Sequence, residues 1–161
     1  MPTGNTQEGV KVVATNRRAW HEYFIDEKIE AGMALTGTEI KSIREGRVNL
    51  RDAYASLDKG GEAWLMSAHI APYEQGNRYN HEPTRPRKLL LHKSEINSLA
   101  GKVSRPGFTI IPLQMYLKNG KAKVELGLAR GKRTFDKREA IARRDAQRDI
   151  DREMAGRRRG R

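Results

Sequence analysis

The chain of 161 residues carries 32 Lys and Arg against 20 Asp and Glu, a net charge of +12, and its length suits one domain with extensions. It holds no cysteine, which excludes disulfides, thiolate catalysis and cysteine-based zinc sites. No run reaches the ~18 apolar residues of a membrane span and the N-terminal residues lack a signal-peptide core, so a soluble cytoplasmic protein is expected.

In chain order, residues 1–10 are polar, contain two glycines and are expected to be disordered. The segment "AWHEYFIDEKIEAGMAL" alternates loosely and predicts a strand reaching about Leu35. A short helix follows in "TGTEIKSIREGR". Thr36 and Glu39 have the spacing of a capping box, Ile40 and Ile43 share one face, and Gly46 is the stop. Two strands then flank a Lys59-Gly60-Gly61 turn, with Ala53, Ala55 and Leu57 on one side of the first. Trp64, Met66, Ala68 and Ile70 share one side of the second.

Residues 72–88 hold three prolines, lack periodicity and predict a long loop. "LLLHKSEINSLAGKV" reads as a helix seated by Leu89, Leu90, Leu91, Ile96 and Leu99, although its first residues equally suit the end of a strand. The clearest element is the hairpin around Asn119-Gly120, a pair suited to a type I′ turn. Ile111, Leu113, Met115 and Leu117 are expected on one face, opposite Val124, Leu126 and Leu128, while Lys121, Lys123 and Glu125 form a solvated face. Short antiparallel strands with two short helices predict a mainly β body over residues 11–130, a small barrel or sandwich.

Residues 131–161 carry 12 basic and 6 acidic side chains, half of the chain's excess charge in under a fifth of its length. Ala142, Ala146, Ile150 and Met154 form one narrow helical stripe, and Arg144, Arg148 and Arg152 form another. An alanine-rich stripe buries too little apolar surface to offset the ordering entropy. The tail is therefore expected to be disordered when free and helical when a polyanion meets its arginine ridge. The excess charge points to nucleic acid before an anionic membrane, because no Trp, Phe or Leu follows Phe135 to insert into lipid.

Catalytic patterns are lacking. Near "GLARGKR" the glycine spacing is one residue short of a phosphate loop, and Arg133 stands where Ser or Thr would hold magnesium. There is no G-x-S-x-G or H-E-x-x-H, and His21, His69, His81 and His92 are scattered. No catalytic residue, metal or cofactor is assigned.

Three stretches carry a resemblance: "NRRAWHEYFIDEKIEAGMALTGTEIKSIREGRVNLRDAYASL", "PTRPRKLLLHKSEI" and "LARGKRTFDKREAI". Together, from about Val12 to Arg152, they resemble the SsrA-binding protein (small protein B) family. The resemblance implies an oligonucleotide-binding (OB)-type β-barrel with packed helices. It also implies binding to the tRNA-like domain of transfer-messenger RNA and delivery of that RNA to stalled ribosomes for trans-translation. Implied partners are that RNA, the small-subunit decoding centre and mRNA channel and, through the RNA, elongation factor Tu and alanyl-tRNA synthetase. A basic ribosomal or initiation-type protein with a similar barrel is the alternative.

Carried over by residue, the resemblance places Asn16, Arg17, Arg18, His21, Glu30 and Lys123 at the RNA interface. Glu30 is unusual there, because a carboxylate must accept from base or 2′-OH donors or orient a neighbouring arginine. Arg87 and Lys88 are candidate phosphate contacts, and Leu90 is expected to support them from the core. Gly131, Lys132, Phe135, Asp136, Lys137 and Arg138 match the motifs opening the family's ribosome-binding tail, where Arg144, Arg148 and Arg152 would face rRNA phosphates. Phe135 replaces the His or Tyr many members carry, which preserves stacking and removes a polar ring.

Overall fold

A computed structural model describes residues 9–74, 80–132, 147, 148 and 150–152. Its elements are β1 (Val10–Thr15), α1 (Arg17–Glu22), β2 (Tyr23–Met33), α2 (Gly37–Arg44), β3 (Val48–Asn49), β4 (Tyr54–Leu57), β5 (Ala63–Met66), β6 (His69–Ile70), β7 (Arg87–Leu90), α3 (Lys93–Val103), β8 (Phe108–Lys118) and β9 (Lys121–Gly131). Seven strands form one sheet in the order β1-β8-β4-β5-β7-β2-β9, in which β9 also pairs with β8, and β3 pairs separately with β6. The pairings are antiparallel. The chain is thus mainly β with short helices, as its patterning predicts.

The hairpin holds, with Asn119 and Gly120 at φ 50° and 78°, the left-handed pair that its turn demands. So does the capping box: the Thr36 hydroxyl accepts from the Glu39 N–H while the Glu39 carboxylate accepts from the Thr36 N–H. Gly46 at φ 74° then closes α2.

Elsewhere, single backbone events displace the predicted pattern. The strand expected over "AWHEYF" begins only at Tyr23, because Asn16 caps α1. Its side-chain oxygen accepts from the Ala19 N–H at 3.3 Å and its amide donates to the Pro112 carbonyl at 2.9 Å. The expected N-terminal disorder overlaps β1 at Val10, and Gly9 accepts from the Asn119 N–H; residues 1–8 lie outside the described ones. On β5 the buried side chains are Ala63 and Leu65 rather than Trp64 and Met66. Ser67 at φ 59° breaks the strand, and the inward phase resumes at Ala68 and Ile70.

The expected inner face of β8 divides in the same way. Its register against β9 slips between Pro112 and Gln114, as one extra residue does at a bulge. Ile110, Met115 and Leu117 therefore join the main core with Val124, Leu126, Leu128, Ile43, Leu65, Ile96 and Leu99. Ile111 and Leu113 face the other way and pack with Ala19 of α1 and Ala129. Of the two readings open for "RKLLLHK", the strand is the correct one: residues 87–90 are β7, and α3 begins after His92. Leu89 is buried, whereas Leu90 is 55 % exposed and supports nothing from the core.

Candidate nucleic-acid interface

The residues predicted to meet RNA divide by the direction their strand or helix gives them. On α1, Ala19 faces inward and Arg17 and His21, four apart, face solvent. Arg18 is exposed too, but its guanidinium is held by Glu22 at 2.9 Å and Asp52 at 3.1 Å. Asn16 is a correction. It is 5 % exposed and its polar atoms serve the cap and Pro112, so it shapes α1 from inside instead of meeting a ligand.

A second set lies on the outer surface of β2, β8 and β9. Lys123 pairs across β9–β8 with Tyr116 and across β9–β2 with Gly32. The Tyr116 hydroxyl donates a short hydrogen bond to Glu30, and Lys118 lies 3.5 Å from the same carboxylate. The Tyr116 bond, helped by Lys118 and Lys123 against the opposing effect of burial, holds the Glu30 carboxyl below its ordinary value. Burial and then Glu30 push the Tyr116 phenol well above its own, so it remains a donor. Glu30 is thus an ionised acceptor between two ammonium groups, with lone pairs to spare for an amino or 2′-hydroxyl donor. Tyr116, 7 % exposed, and Lys118 carry no individual signal in the sequence beyond alternating with the apolar residues of β8.

Gly32 pairs with Leu90 of β7, and a Cβ on it would stand in ordinary contact with Leu90 Cβ at 3.4 Å and Lys123 Nζ at 3.5 Å. Lys88 and Leu90 alternate outward along β7, and Leu90 lies beside Lys123. Lys88 is half-exposed and pairs with Glu62 at 3.1 Å.

Arg87 is the larger correction. It is 0 % exposed and cannot reach a phosphate. Its Nε lies 2.6 Å from Glu39 Oε2, while its other nitrogens donate to the Ala68 carbonyl at 2.5 Å and the Pro83 carbonyl at 2.9 Å. Burial pushes the Glu39 carboxyl up, but hydrogen bonds from Arg85, Thr36 and Arg87 outweigh it and hold the group below its usual range. This network joins α2 to the segment entering β7.

At the end of β9, Gly131 pairs with Tyr23. Lys132 Nζ donates to the Trp20 carbonyl at 3.0 Å and lies 5.3 Å from the Phe24 ring centre. Arg148 and Arg152 are helical and exposed. Phe135, Asp136, Lys137, Arg138 and Arg144 lie outside the described residues. Among the described residues no group of three His, Cys, Asp or Glu side chains is placed to hold a metal ion, and no helix is long and apolar enough to cross a membrane.

Comparison with known proteins gives one family. The family model described as SmpB protein matches residues 13–156. The chain is 60 % identical over 157 residues to the SsrA-binding protein of Shouchella clausii, covering 98 % of this chain and 99 % of that protein. It is 61 % identical over 155 residues to the SsrA-binding protein of Roseiflexus castenholzii, covering 96 % of each. Among solved structures, one described as "tmRNA-SmpB: a journey to the center of the bacterial ribosome" is similar with a TM-score of 0.64 and 52 % identity, over 74 % of this chain and 83 % of that one.

Proposed function

The chain belongs to the SmpB family, and on that premise we propose that it binds the tRNA-like domain of transfer-messenger RNA and brings that RNA into stalled ribosomes for trans-translation. The observation that carries this reading is the extent of the relationship: the family match runs through the body and into the basic tail, over residues 13–156. The role is binding and delivery, and the body supplies the surface.

The ring of pairings through β8, β4, β5, β7, β2 and β9, with β9 returning to β8, supports reading the body as an OB-type barrel. Lys123, Lys118, Lys88 and Arg17 neutralise backbone phosphates, and Glu30 accepts from a base or ribose donor. His21 stacks or bonds beside Arg17. Elongation factor Tu and alanyl-tRNA synthetase join through the RNA. The tail from Lys132 onward serves the ribosome, with Arg144, Arg148 and Arg152 facing rRNA phosphates in an mRNA channel left vacant.

The test measures binding of the full chain and of residues 1–132 to labelled tRNA-like domain, with excess bulk tRNA at near-physiological salt. Both chains should bind through the competitor, and only the full chain should support peptide tagging on stalled ribosomes. If neither survives the competitor, the charge is generic and a ribosomal-protein role takes the lead. If the shortened chain alone loses RNA binding, the division between body and tail is wrong.

A further inference from the structure

We infer that Trp20, with the cations packed around it, is a stacking site for one unpaired RNA base, separate from the Glu30–Tyr116–Lys123 surface. The inference deepens the RNA-binding reading above and rests on it. Trp20 is 44 % exposed on α1, and the core makes little use of its indole. Lys28 Nζ lies 4.9 Å from its ring centre, and Lys132 Nζ is bonded to its carbonyl oxygen. Phe24 is flanked by Arg130 at 5.5 Å and Lys132 at 5.3 Å. Arg17 and His21, three residues before Trp20 and one after, face solvent beside it.

The occupant follows from charge. Among the described residues the carboxylates nearby are already matched: Asp26 with Arg130 at 3.0 Å, Glu27 with Lys102 at 2.6 Å, Glu22 with Arg18 at 2.9 Å. Lys28, Lys132 and Arg17 therefore remain as excess positive charge around an open aromatic ring. Aromatic rings interleaved with cations suit a splayed base flanked by its phosphates. An acidic peptide would match the charge and leave the ring unused. Its aromatic end lies away from the first surface, since Phe24 and Glu30 are six residues apart on β2, roughly 20 Å along the strand. Lys28, two residues before Glu30, stands between the two.

Trp64 is the only other tryptophan, so the full-length chain with Trp64→Phe reports on Trp20 alone. That protein is titrated with hexaadenylate and, separately, with the tRNA-like domain, following Trp emission and the anisotropy of labelled RNA. Emission should be quenched with the same midpoint as the anisotropy. In the natural background Trp20→Ala should weaken hexaadenylate binding about tenfold, Trp20→Phe should restore most of it, and Lys28→Gln should weaken it less. Hexaadenylate that binds without quenching, or fails to bind, overturns the inference; so does a Trp20→Ala chain that binds as tightly as its parent. Loss of tRNA-like domain binding in the parent chain would instead strike the reading above, and the hexaadenylate titration would still decide Trp20.

Discussion

Replacing Arg87 separates a phosphate contact from a structural cation. At a phosphate met through charge alone, lysine replaces arginine as a point charge. Inside this fold it does not. One guanidinium fork serves the Glu39 carboxylate at 2.6 Å, the Ala68 carbonyl at 2.5 Å and the Pro83 carbonyl at 2.9 Å, which approach from three directions. A shorter ammonium leaves at least one or two of these buried acceptors unpaired, at about 1–3 kcal/mol each, so Arg87→Lys should cost roughly 3 kcal/mol. Arg87→Met removes the charge as well and should cost about 3–5 kcal/mol, the range for breaking a buried ion pair. With an m-value of roughly 2 kcal/mol/M, urea midpoints should fall by about 1.5 M for Lys and about 2 M for Met. The folded fraction of either variant should keep the salt dependence of RNA binding, because the parent side chain is fully buried. A lysine variant within about 0.5 kcal/mol of the parent, paired with a methionine variant whose salt slope drops by about one, would refute the structural assignment.

Two further perturbations test the surface and the packing beneath α1. The folded-state value of Glu30 lies below its ordinary 4.5, so the unfolded chain takes up the proton first, and the stability conferred above that pH is lost as pH falls through the folded value. Glu30→Gln should flatten this part of the acid limb in urea midpoints, and an unchanged limb would show that Tyr116 and the lysines do not hold the carboxylate. A Cβ at Gly127 would stand 3.0 Å from Leu113 and 3.1 Å from Ile25, so Gly127→Ala should cost about 1–3 kcal/mol by overpacking. Leu113→Val should recover part of that loss in the double variant, and purely additive losses would count against the contact.

What the sequence made legible was whatever a local rule specifies completely. The Asn119-Gly120 turn and the Thr36–Glu39 capping box each satisfy their backbone groups within a few residues, so no distant partner can overrule them. Alternation fared worse wherever the backbone stepped out of phase. Ser67 holds a positive φ that side chains other than glycine and asparagine seldom adopt, and nothing in "WLMSAHI" announces it. The slip beside Leu113 is similarly silent, because "IIPLQMYL" is apolar on both sides of a strand that has a core on each face. Asn16 is the intermediate case. As a cap it follows a familiar preference, yet its amide is committed to Pro112, 96 residues away, and only the fold reveals that.

The same distinction explains which site residues were legible. Charge marks a polyanion-binding chain without saying which cations are outside, because a buried arginine and a surface arginine are the same letter. Arg87 and Lys88 illustrate this: neighbours on β7, they point to opposite sides, and strand alternation makes only one of them available. Glu39 is what retains Arg87 inside, and it lies 48 residues earlier in the chain. Glu30 is the converse, a carboxylate that looks misplaced among cations until Tyr116, 86 residues later, donates to it. Both assignments turn on partners supplied by topology. Partner identity, rather than charge or motif, therefore divides the ionic residues of this surface into those that hold the body together and those that can leave water for a ligand.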